Sequence, residues 1–148
     1  MISNVVIREL ELSDINETSG LIKCLEALSP GPYSIKDLIA AEKDRHFSGC
    51  CWTFVATGPA SGNIYGCVGL TRERKLIHNG GIVLRLEDLC VNPRVQGNGI
   101  GKALVKHVIQ YASCLKGYKL ILNCKPELRG FYESLGFADA GTAMRINF

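Results

Sequence analysis

Leu89-Cys90-Val91-Asn92-Pro93-Arg94-Val95-Gln96-Gly97-Asn98-Gly99-Ile100-Gly101-Lys102-Ala103 joins an apolar run to a helical pattern through three glycines at alternate positions. Glycines at these positions let the backbone turn tightly with its N–H groups converging, and the helix that follows adds partial positive charge at its start. Physically this is a pyrophosphate cradle, although a glycine-rich turn without a ligand carries the same pattern. Two other phosphate-binding motifs do not fit. A Rossmann loop stands at the first strand-to-helix turn, whereas this one comes late, after an antiparallel meander. A P-loop needs Gly-Lys-Ser/Thr, and here Gly101-Lys102 is followed by Ala103.

Upstream, Ile82 to Val91 reads as a strand whose apolar positions Leu84 and Leu86 change phase to Leu89 and Val91 around Glu87-Asp88. Such a slip predicts a β-bulge, which re-aims side chains and frees backbone groups. Before it, Cys51 to Ala56, a turn at Gly58 to Asn63, and Ile64 to Thr71 predict a hairpin. Further back lies a short strand, Val5 to Leu10. A helix follows, capped at Ser13-Asp14 and apolar at Ile15, Leu21, Ile22, Leu25 and Leu28. Ser29-Pro30-Gly31-Pro32 breaks it, and Ser34 caps a second helix. Downstream come a helix from about Gly101 to Leu115, a central strand at Lys119 to Cys124, a short helix around Leu128 to Leu135, and a last strand near Ala143 to Asn147. The expectation is a mixed α/β sheet flanked by helices, forming one domain over residues 1–148.

The chain has 148 residues, 47% hydrophobic and 21% charged, which excludes wholesale disorder and supports a core without disulfides or metal. A net charge of +3 is too small for a nucleic-acid protein, yet permits a local basic pocket. The first residues, Met1 to Arg8, carry no secretory signal, and no apolar run is long enough to span a membrane. The seven cysteines have irregular spacing without a C-x-x-C pair, so no metal site is expected. They read as small buried hydrophobes in a reducing, cytoplasmic compartment.

Gln96-x-x-Gly99-x-Gly101 after Leu89-Cys90-Val91 resembles the acetyl-CoA-binding signature of the GNAT N-acetyltransferase superfamily, and the order of elements fits that fold over essentially the whole chain. Three further stretches resemble the branch that acetylates glucosamine 6-phosphate. They are Arg74 to His78, Leu86 to Val91, and Tyr118-Lys119 together with Gly130 to Phe137. The resemblance implies acetyl transfer from acetyl-CoA to the 2-amino group of that sugar phosphate, without a covalent enzyme intermediate or a metal. It implies cofactor contacts from the backbone of Leu89, Cys90 and Val91 and from the loop Gln96, Gly97, Asn98, Gly99, Ile100, Gly101 and Lys102. An N–H beside the bulge would stabilise the thioester oxyanion, and Tyr132 would protonate the departing thiolate. On the acceptor side it implies Glu87 and Asp88 near the amine and hydroxyls, with Lys75, His78, Tyr118 and Lys119 as further contacts and Ser29 nearby. A homodimer whose C-terminal strand crosses to its partner is also implied.

Taken without the resemblance, Tyr132 reads as a core aromatic, and Arg72, Arg74, Lys75 and His78 as a solvated edge strand. His46 and His107 read as surface residues. Three positions depart from the family pattern. Asn123 stands where an acid is found and cannot accept a proton, which moves amine deprotonation to a held water, Glu87 or Asp88. Leu128 replaces an asparagine, and Asn147 replaces a phosphate-binding arginine for which Arg145, on the same strand face, can substitute. Other acceptors stay open: a protein N-terminus, a polyamine or an aminoglycoside. So does a non-catalytic acyl-CoA-binding module.

Overall fold

The computed structural model describes residues 4–148. Five strands form one sheet in sequence order: β1 (Val6–Glu9), β2 (Cys51–Thr57), β3 (Ile64–Arg74), β4 (Ile82–Val91) and β5 (Lys119–Ile121). The first four are antiparallel neighbours; β5 runs parallel to β4. The helices are α1 (Leu21–Leu28), α2 (Ile35–Ser48), α4 (Ile100–Cys114) and α5 (Arg129–Glu133), with α3 (Ile77–Gly80) a single turn whose His78 and Asn79 are left-handed, at φ 55° and 53°. None of the described helices is long and apolar enough to cross a membrane.

Alternation along the strands sorts side chains into two buried layers. Phe54, Ala56, Val68, Leu70, Leu84 and Leu86 meet Leu104, Val105 and Val108 of α4, with Tyr132 of α5 closing the layer. Val55, Cys67 and Cys90 meet Leu21 and Cys24 of α1, with Ile35, Leu38 and Ile39 of α2 alongside. Phe54 is 1% exposed, and burying a side chain of that size stabilises the fold by roughly 1.5–3 kcal/mol.

The bulge lies where the phase change predicts it. Cys67 opposes Cys90 and Gly69 opposes Glu87, so one residue of β3 faces two of β4. Asp88 takes up the extra length in the left-handed region, at φ 53°. Before the bulge, even-numbered residues of β4 face α4; after it Leu89 and Val91 do so, and Cys90 turns to α1.

Four expectations need correction. Ser13-Asp14 does not open a long helix: Leu12–Asp14 form one 3-10 turn, and α1 starts only after Gly20. The reason is Asp14, which is engaged by the Arg8 guanidinium at 2.7 and 2.9 Å and by the Glu11 N–H at 2.8 Å, so the chain turns there. Gly20 sits at φ 95°, and a Cβ on it would lie 2.5 Å from the Ile64 carbonyl oxygen, so α1 is docked on β3 by its first turn. Next, Lys119 to Cys124 is not central. It pairs with β4 through only three residues and forms the sheet's edge. The strand near Ala143 to Asn147 is absent: residues 138–148 form no strand, and Met144 and Ile146 are exposed. The open edge of β5 is left unpaired by these residues. Finally, His107 is half-buried, its ring 4.7 Å from that of Phe54, and burial lowers its pKa. His46 is exposed as expected. The cysteines divide: Cys24, Cys67 and Cys90 are buried, Cys50 and Cys51 half-buried, Cys114 and Cys124 exposed.

Candidate active site

The pairing of β4 with β5 ends at Arg85 opposite Ile121. Beyond it the two strands part, and among the described residues no strand lies beside the second edge of β4 from Leu86 to Val91. A cleft of about 570 Å³ occupies this gap. Leu89, Cys90 and Val91 form one wall, the glycine loop one end, and Phe131 and Tyr132 of α5 the opposite side. Ala27 and Leu28, at the end of α1, complete the rim.

The glycine loop has the conformation its composition predicts. Gly97 and Gly99 lie at φ 82° and 78°, and Gly99 stands immediately before the first turn of α4. Among the described residues nothing lies within 4 Å of a Cβ at either, so the backbone angle alone requires glycine there. Gln96, Gly97, Gly99, Ile100, Gly101 and Lys102 all line the cleft. Asn98 does not. Its amide donates to the carbonyls of Val95 and Gln96 at 3.0 and 3.4 Å, which holds the loop closed from behind. The Gln96 amide donates to the Val91 carbonyl at 3.2 Å and ties the loop to the open strand edge. Converging N–H groups, the helix start and the Lys102 charge make this end of the cleft suited to a polyphosphate.

Tyr132 is 7% exposed, packed edge-on against Phe131 and Phe137. The side chain lines the cleft. Burial, and secondarily Cys124, push its pKa up, so the phenol keeps its proton at neutral pH. A protonated phenol on the wall of the cleft can donate to a ligand atom.

The residues expected on the acceptor side fall into two groups. Glu87 and Asp88 are exposed at the bulge, where the strands part, with Arg85 Nε 3.6 Å from Glu87 Oε1. The second group lies at the far end of the β3–β4 hairpin. There the His78 ring packs on Tyr118 at 4.5 Å between centroids, and Lys119 Nζ sits 5.6 Å from the Tyr118 ring centre. Lys75 pairs with Glu73 beside them. Arg74 donates to the Gly80 carbonyl at 2.6 Å and so braces the turn rather than facing a ligand. From Ile82 to Glu87 the strand rises about 17 Å, so one chain does not bring the two groups together. Ser29 follows the cleft rim at the end of α1. Asn123 is exposed just past β5, and Arg145 lies in the strandless tail with no contact to the cleft.

Sequence reasoning missed two features. Gly69 faces the bulge, and only its position in the register shows this. Gly66 lies against β4, where a Cβ would be 2.9 Å from the Cys90 carbonyl oxygen. An isolated glycine within a strand marks such close approach, a signal present in both cases.

The sequence model of the acetyltransferase (GNAT) family matches residues 19–137. Glucosamine 6-phosphate N-acetyltransferase 1 of Oryza sativa subsp. japonica is 33% identical, over 96% of this chain and 86% of that protein. The crystal structure of glucosamine-6-phosphate N-acetyltransferase from Arabidopsis thaliana superposes with a TM-score of 0.90 at 27% identity, covering 99% of each chain. That of a Trypanosoma brucei acetyltransferase gives 0.86 at 29% identity, over 98% of this chain and 100% of the other. With the parted strands and the glycine loop already in place, these matches settle the assignment: the chain belongs to the GNAT family of acetyltransferases.

Proposed function

We propose that this protein acetylates the 2-amino group of glucosamine 6-phosphate with acetyl-CoA as donor. The observation that carries the reading is the opening between β4 and β5, lined by the glycine loop and by Tyr132. The likeness to the rice and Arabidopsis proteins over nearly the full chain supplies the acceptor.

The pyrophosphate of the cofactor lies on the N–H groups of Gly97 to Lys102, and its pantetheine arm pairs with the free edge of Leu89 to Val91 as an added strand. This directs the thioester toward the bulge, where a backbone N–H released from the ladder stabilises the oxyanion; such donors are worth about 3–4 kcal/mol in other enzymes. The amine must be neutral to attack. Glu87 and Asp88 are the acids exposed at that point, whereas the Asn123 amide has no basic site. As the tetrahedral intermediate collapses, Tyr132 gives its proton to the departing thiolate. Juxtaposition of amine and thioester contributes much of the acceleration.

Lys75, His78, Tyr118 and Lys119 hold the sugar phosphate. Their distance along β4 from Glu87 favours a homodimer in which one chain supplies the phosphate contacts and its partner the bulge. The exposed tail with Arg145 then has a second chain to lie on.

Thiol release from acetyl-CoA, measured with glucosamine 6-phosphate, an aminoglycoside, spermidine and a peptide N-terminus, tests the proposal. Turnover with the sugar phosphate at least tenfold above the others is expected. Turnover with the peptide and none with the sugar overturns the acceptor. Binding of acetyl-CoA without turnover of any amine overturns catalysis.

A further inference from the structure

Cys67 and Cys90 oppose each other on β3 and β4, and their sulfurs lie 3.2 Å apart within the layer beneath α1. Opposed residues of antiparallel strands have Cα atoms about 4.5–5.5 Å apart, inside the ~4.4–6.8 Å range that a disulfide spans. Closing the pair to a bond of about 2.05 Å requires the sulfurs to approach by only about 1 Å. The pair flanks the register shift that creates the bulge, and Cys90 also lines the cleft. Neither thiol has a role in the chemistry described above.

We propose that Cys67 and Cys90 are an oxidation site: a peroxide converts them into a cross-strand disulfide that weakens acyl-CoA binding, and thiol reductants restore it. The inference rests on the cleft being the acyl-CoA site.

The environment divides the labour between the two sulfurs. Their mutual hydrogen bond lowers the Cys90 pKa, whereas that bond and burial push Cys67 well above the ordinary thiol range. Cys90 lines the cleft and has the lowered pKa, which makes it the attacking thiolate. Its sulfur attacks one oxygen of hydrogen peroxide and breaks the O–O bond, giving a sulfenic acid and hydroxide, which leaves as water after taking a proton. The Cys67 sulfur then attacks the Cys90 sulfur and displaces the hydroxyl, which takes the Cys67 proton and leaves as a second water. Two thiols lose two electrons and two protons, and the peroxide is reduced to two waters. Cys24, the third thiol of the layer, is pushed up to about 12 by burial and stays a spectator.

Closing the bond draws Cys90 toward β3, and Cys90 lies between Leu89 and Val91, the residues whose free edge the pantetheine arm needs. Acyl-CoA in the cleft covers the same wall, so oxidation and cofactor binding oppose each other reciprocally.

The experiment uses the full chain with Cys50, Cys51, Cys114 and Cys124 replaced by serine, which removes the accessible competing thiols. Reduced protein is treated with hydrogen peroxide, blocked, mapped by non-reducing peptide mass spectrometry, and titrated with acetyl-CoA by calorimetry. The expected result is a Cys67–Cys90 linked peptide with a mass loss of about 2 Da, formed more slowly when acetyl-CoA is present. Affinity falls roughly tenfold or more and recovers with dithiothreitol. In the same background Cys67→Ala forms no linked peptide and stops at the Cys90 sulfenic acid, which dimedone traps; if that variant does not fold, the dithiothreitol reversal carries the same information. Absence of the linked peptide overturns the proposal, and so does a link that leaves affinity unchanged. Reduced protein that binds no acetyl-CoA overturns the cleft assignment and the cofactor half of the inference with it, while the linked peptide still decides the oxidation site.

Discussion

Gly69 opposes Glu87 across the β3–β4 ladder, and a Cβ placed on Gly69 would lie 3.3 Å from the Glu87 carbonyl oxygen. The strand that carries the bulge therefore rests on a residue with no side chain. Gly69→Val should press β4 outward at the bulge and lower kcat/KM about tenfold or more, with a stability loss of about 1–3 kcal/mol from the crowding. Steady-state kinetics beside a urea melt separate the two effects; a variant that is destabilised but fully active removes Gly69 from the site's support.

Tyr132→Phe removes the hydroxyl and leaves the ring between Phe131 and Phe137. Turnover should fall about 10²-fold while the KM for acetyl-CoA changes little, as expected for a proton donor acting on the thiolate. Burial raises the Tyr132 pKa above its ordinary value of 10.0, so the wild-type rate should lose this proton only on an alkaline limb beyond that value. The limb should vanish in the phenylalanine variant. An unchanged kcat removes the acid role.

Gly99→Ala places a Cβ on a residue at φ 78°. The left-handed conformation costs a non-glycine residue about 1–2 kcal/mol, and relief of that strain would turn the N–H groups away from the cleft. Acetyl-CoA affinity, read by calorimetry, should drop about tenfold. Full affinity would mean that the loop does not hold the diphosphate.

Lys75→Ala should raise the KM for glucosamine 6-phosphate about tenfold and leave that for acetyl-CoA unaltered. Because Lys75 and its partner Glu73 lie open to solvent, salt screens the attraction of Lys75 for the phosphate, and the wild-type sugar KM should rise with it. Equal changes in both KM values would place Lys75 outside the sugar site.

Asp14 is held below the usual carboxylate range, first by the hydrogen bonds from Arg8, against the opposing effect of burial. A carboxylate with a lowered pKa adds stability above its unfolded value and loses it as pH falls through the folded one. Asp14→Asn should therefore cost about 1–2 kcal/mol at pH 7, and the gap to wild type should close as the pH is taken below 3.8. Chemical denaturation at several pH values gives the curve; a pH-independent gap would assign the loss to packing.

What could be read in advance follows from how far each signal extends along the chain. The bulge was visible because it shifts the apolar alternation between Leu86 and Leu89 within a single strand. The loop at Gly97 and Gly99 was visible because glycine marks left-handed backbone wherever it is required. Neither the edge position of β5 nor the missing strand near Ala143 was visible: an apolar run such as Leu120-Ile121-Leu122 has the same composition in the middle of a sheet and at its margin. Ser13 looked like a helix cap because the competing claim on Asp14 comes from Arg8, in the preceding strand. Cys67 and Cys90 are separated by a hairpin, and only the register shows that they meet.

At its start α1 is clamped to β3 where Gly20 meets Ile64, and Leu21 and Cys24 are buried, while Leu28 at the other end is 47% exposed. That far end carries one lip of the cleft and is tied to the segment after it, where the Tyr33 hydroxyl donates to the Leu25 and Ser29 carbonyls at 3.3 and 2.6 Å. The width of the entrance therefore depends on Tyr33 as well as on Gly20, one tie at each end of the helix.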